Sequence, residues 1–133
     1  MWKIKKDEDG RDLGFAISCV IYQLISIDEF QLWIDIVIKE VDIDYIPSYI
    51  FDLSLIQKDK LVSRLDEVIG YTPVSFLSEN EKDALTGITY LRDIDVYDPP
   101  VSKEKALATL KKNPHVLDEF RRFFPFIELN TDF

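Results

Sequence analysis

The chain carries one histidine and one cysteine, so few residues could supply nucleophilic or metal chemistry. His115 follows Asn113-Pro114 in the expected first turn of a helix, where a histidine reads as a surface residue. Cys19 falls beside an apolar stripe and reads as a small buried hydrophobe. A reactive thiolate needs partial exposure and positive surroundings, so a Cys19–His115 pair is not expected to work. With four glycines the chain has no glycine-rich phosphate loop. What remains is carboxylate. Asp42-Ile43-Asp44 and Asp93-Ile94-Asp95 each set two carboxylates one residue apart, followed by Tyr45 and by Tyr97-Asp98. Such pairs suit Mg²⁺ or Ca²⁺. A calcium loop would also need a glycine turn and a distal glutamate at fixed offsets, which both stretches lack. The reading is therefore no catalytic residue, no cofactor and no metal site. A divalent-metal-dependent protein built on the Asp-x-Asp loops stays as an alternative.

The acids are segregated. Between Ser26 and Leu55 stand seven (Asp28, Glu29, Asp35, Glu40, Asp42, Asp44, Asp52) against Lys39 alone. From Ser78 to Asp98 there are six against Lys82 and Arg92. From Ser102 to Pro125 the balance reverses, with six bases against Glu104, Asp118 and Glu119. The formal charge of the whole is −9. Like charges at this density destabilise a fold unless something compensates. Some carboxylates can pair with the basic C-terminal helices. The remainder would form an acidic patch edged by tyrosine, which gives contact area at low entropy cost while carboxylates steer encounter. The expected contact set is Asp28, Asp35, Asp42, Asp44, Tyr45, Asp93, Asp95, Tyr97 and Asp98. This field repels phosphate, so neither nucleic acid nor a membrane is an expected partner.

Helices must position these residues. Leu13, Ala16, Ile17, Val20, Ile21 and Leu24 predict a helix over about 11–25. Ser26-Ile27-Asp28-Glu29 is a capping box. Phe30, Trp33, Ile34, Val37, Ile38 and Val41 follow it at helical spacing, and Leu32 and Ile36 would widen the face. Asp28, Asp35 and Asp42 then share the outer side. Pro47 requires a break and can open a short helix. A helix over 58–69 would bury Leu61, Leu65, Val68 and Ile69, with Gly70 as a left-handed cap. Ser78 to Glu81 is a second capping box, with Ala84, Leu85, Ile88 and Leu91 inward. Gly87 inside that helix implies a close crossing, and Pro99-Pro100 ends the segment. Ser102 caps a helix over 103–112, with Ala106, Leu107 and Leu110 inward. Asn113-Pro114 opens a last one burying Val116, Leu117, Phe120 and Phe124 until Pro125. Ser26–Asp44 and Ser78–Asp95 faintly repeat each other; coincidence between two helical hairpins is the favoured explanation, and a true repeat would imply two stacked helical hairpins.

The fold class expected is all-α: one compact domain spanning 1–133, of about five to seven helices. Residues 1–10 would be flexible or a short extended arm, since Trp2-Lys3-Ile4-Lys5 alternates like a strand with no sheet to join. At 47% apolar and 13% aromatic, 133 residues can build a core without metal or disulfide. The charged start lacks an apolar leader segment, and the near-apolar runs are too short to span a bilayer. With a lone cysteine, the expected location is the reducing cytoplasm.

Ile25-Ser26-Ile27-Asp28-Glu29, Trp33 with its apolar ridge, and Asn113-Pro114-His115-Val116-Leu117-Asp118-Glu119-Phe120 with Phe123-Phe124-Pro125 resemble a helical family of small acidic bacterial proteins. That family is the immunity proteins of contact-dependent and polymorphic toxin systems. The resemblance covers about a third of the chain and carries over no functional residue. It implies a protein that neutralises a cognate basic toxin domain, often a nuclease, by direct binding, as a monomer or weak homodimer. The alternative is an adaptor that self-associates through Phe120, Phe123, Phe124, Phe126 and Phe133.

Overall fold

The computed structural model describes residues 2–5, 7, 10–55, 67–70, 77–95 and 98–129. These form six α-helices and one 3₁₀ turn, with no strand among them. The fold is all-α. The helices are α1 (Arg11–Ile21), α2 (Ile27–Glu40), α3 (Ser48–Leu55), α4 (Glu79–Leu91), α5 (Lys103–Lys112) and α6 (Pro114–Phe123), and the 3₁₀ turn is Ile43–Tyr45. Tertiary contacts group the chain into two compact units: Met1–Ile21 with Ile25–Phe76, and Tyr22–Leu24 with Leu77–Phe133.

In the first unit α2 is central. The Glu29 amide donates to Ser26 Oγ at 3.1 Å and the Ser26 amide to Glu29 Oε1 at 2.8 Å, which completes the capping box. Behind it Phe30, Trp33, Ile34 and Val37 are fully buried. Helix α3 packs on α2, and Gln31 Nε2 donates to the Leu53 carbonyl at 3.3 Å. Helix α1 contributes Leu13, Ala16 and Cys19 to the core. The N-terminal arm keeps its strand-like alternation without a sheet: Trp2 and Ile4 are buried and Lys3 is exposed. Backbone bonding holds it. The Asp12 amide donates to the Lys3 carbonyl at 3.0 Å, and the Lys3 amide to Asp12 Oδ2 at 2.7 Å. The Tyr49 hydroxyl donates to the Ile4 carbonyl. Trp2 meets Trp33 edge-on, with ring centroids 5.5 Å apart.

Two expectations fail in this unit. Helix α1 stops at Ile21, four residues early, because Gln23 takes a left-handed conformation at φ 68. Ile21 is consequently exposed. Leu32 stands out in solvent at 48% exposure instead of widening the buried face of α2. The helix expected over 58–69 lies mostly outside the described residues. Residues 67–69 are helical, Ile69 is buried, and Gly70 has φ 83.

In the second unit α4 and α5 pack most extensively, and α6 touches both. The Ser78–Glu81 capping box closes at 3.2 and 2.9 Å. The close crossing at Gly87 is present: a Cβ there would lie 2.8 Å from the Ala106 carbonyl oxygen. Ala84, Leu85, Ile88, Ala106, Leu110, Val116, Phe120, Phe123 and Phe124 form the core, whereas Leu91, Leu107 and Leu117 are half-buried. Helix α4 ends at Leu91, well before the prolines. Its stop is a Schellman motif: the Ile94 amide donates to the Thr89 carbonyl at 3.0 Å and the Asp93 amide to the Tyr90 carbonyl at 3.2 Å. Asp93 occupies the left-handed position, φ 53. Asn113 does not cap α6 with its side chain, because its Nδ2 turns back to the Thr109 carbonyl at 2.9 Å.

Candidate protein-docking surface

Helix α2 sets the frame. Asp28, Leu32, Asp35 and Lys39 recur at i, i+4, i+7 and i+11, and all four are exposed. The buried stripe of Phe30, Trp33, Ile34 and Val37 fixes this rotation about the helix axis. The helix ends at Glu40, so Asp42 leaves the helical face and becomes the N-cap of the 3₁₀ turn. There its Oδ1 accepts from the Asp44 amide at 3.1 Å. Asp42, Asp44 and Tyr45 are all exposed, and Ile43 between them is 73% exposed.

Of the seven acids over 26–55, all but Glu29 are exposed. Internal duties include those of Glu29, which closes the capping box, of Glu40, whose Oε2 accepts from the Trp2 indole at 3.2 Å, and of Asp42, which caps the 3₁₀ turn. Among the described residues no ion pair reaches Asp35, Asp42, Asp44, Asp93, Asp95 or Asp98. Ion pairs in the second unit include Lys82–Glu79 at 3.4 Å, Arg122–Glu119 at 3.1 Å and His115–Glu81 at 2.9 Å. Arg92 Nη1 donates to the Leu24 carbonyl at 2.5 Å.

Lys5, a residue of the N-terminal arm, reaches the 42–45 turn. Its ammonium lies 4.9 Å from the centre of the Tyr45 ring, bringing one positive charge to the acidic turn. No local pattern signals this, because the Asp12–Lys3 backbone pair sets the register of the arm. The second acidic stretch is built differently. Asp93 belongs to the cap of α4, and Asp93, Asp95 and Asp98 are exposed loop residues of the second unit. Tyr97 lies outside the described residues. The two Asp-Ile-Asp stretches therefore match in sequence but not in conformation.

Cys19 is wholly buried, and burial pushes its thiol far up from the ordinary range, so it is held as neutral SH. His115 Nε2 lies 2.9 Å from Glu81 Oε2, and Glu81 is itself committed to the α4 cap. Among the described residues no three of His, Cys, Asp and Glu gather as a metal site. The phenylalanines of the adaptor alternative are largely core: Phe120, Phe123 and Phe124 are buried, Phe126 is exposed and Phe133 lies outside the described residues.

No family model, curated protein or solved structure matches the chain. Among the described residues no helix is long and apolar enough to cross a membrane.

Proposed function

We propose that this chain is an acidic protein-binding module acting as an immunity protein in the bacterial cytoplasm, where it neutralises a basic toxin domain by direct binding. One observation carries the reading: the α2 face and the 42–45 turn expose Asp35, Asp42 and Asp44, to which no ion pair is made among the described residues. Exposed Leu32 on the helix face and exposed Ile43 in the turn add apolar contact area beside the carboxylates. Long-range attraction to a cation would set the encounter rate, and the apolar contacts would hold the complex. A helix–turn platform bonded to its own core loses little freedom on binding.

The test takes a candidate basic toxin domain, sought among the genes that neighbour this chain's own. Co-expression should rescue cells from its toxicity, and the purified pair should form a tight one-to-one complex. Weak binding to every basic protein, with tight binding to none, would overturn the proposal.

A further inference from the structure

The turn at 42–45 carries an exposed isoleucine, Ile43 at 73% exposure, between two exposed aspartates, Asp42 and Asp44. The backbone beneath it is fixed: the Tyr45 amide donates to the Asp42 carbonyl at 2.8 Å and the Ile46 amide to the Ile43 carbonyl at 3.3 Å. Asp42 Oδ1 ties down the Asp44 amide. Val41 before the turn and Ile46 after it are buried, so both ends are anchored in the core. Tyr45 stands beside Ile43 with Lys5 over its ring. An apolar side chain on a pre-ordered backbone, ringed by polar groups, has the makings of an interface hot spot, because little ordering remains to be done on binding.

Resting on the docking reading above, we infer that Ile43 is the anchor of the interface and that its counterpart is an apolar socket on a cationic polypeptide, rimmed by lysine or arginine facing Asp42 and Asp44. The flanking carboxylates favour a cationic protein over lipid or nucleic-acid phosphate. The roles divide. Carboxylates govern how fast the partner arrives, and Ile43 governs how long it stays.

Two lysine-rich peptides of equal length and charge test this on the full ¹⁵N-labelled chain, one with a central leucine pair and the other with serines there. The leucine peptide should bind about tenfold more tightly, as burial of one aliphatic side chain implies. It should shift the amides of residues 41–46. Ile43→Ser, at an exposed position that leaves the core intact, should erase the tenfold difference while keeping the charge-driven binding. Equal binding of both peptides to the wild type would overturn the Ile43 anchor yet leave the electrostatic reading standing. If neither peptide binds, both readings fall.

Discussion

Single residues show how the chain spends its polar groups. Ser26 and Ser78 each start a helix through the same two-bond exchange with a glutamate three residues on. Ser26→Ala should lower stability by about 1 kcal/mol, read as a shifted urea midpoint with unchanged slope. Glu81 adds a pH dependence. Its carboxyl is held below the usual range first by the Ser78 backbone amide, then by His115 and the Ser78 hydroxyl, against some desolvation. A carboxyl lowered on folding adds stability at pH above its unfolded value, near 4.3, and loses it as pH falls through the folded value. Glu81→Gln should therefore cost stability at neutral pH and cost progressively less in acid below about pH 4. A penalty independent of pH would contradict that assignment. Cys19 should resist a thiol reagent in the native protein and react only on unfolding.

At the scale of elements, the N-terminal arm and the α4–α5 crossing bear the most strain if altered. Trp2→Ala removes the ring packed edge-on to Trp33 and should cost about 3–5 kcal/mol by urea denaturation. A cost under about 1 kcal/mol would mean the arm is accessory. Gly87→Ala adds a good helix former, worth up to about 1 kcal/mol in a free helix. The new Cβ would press on the Ala106 carbonyl oxygen, so the net effect should be a loss of about 1–3 kcal/mol. Elements are also where the sequence proved most and least legible. Both capping boxes, the α2 core stripe and the α5–α6 boundary could be read because each depends on neighbours within a few residues; the Gly87 crossing, a contact with distant Ala106, showed only because a glycine inside a helix is costly without such a contact. The end of α1 could not, since Gln23 is not a residue that announces a left-handed turn. The end of α4 was equally hidden, as Asp93 fills a cap position that usually takes glycine. The Asp93 carboxylate read as part of a docking motif also marks this cap, a double meaning that spacing alone does not separate.

At the scale of the whole chain, charge is what the sequence made plain and pairing is what it left open. Six exposed acids over 26–55 follow from composition and helical phase. That Asp35, Asp42 and Asp44 have no ion pair among the described residues, while Lys5 comes to Tyr45, depends on contacts between distant parts of the chain. The docking account stands on those three carboxylates. The most direct measurement is the association rate constant with a basic toxin domain that the chain neutralises, taken across ionic strength for wild type and for Asp35→Asn/Asp44→Asn. The account predicts a wild-type rate that falls steeply with salt, and a variant about tenfold slower at low salt with a shallower slope. Identical rates and slopes for the two proteins would contradict it.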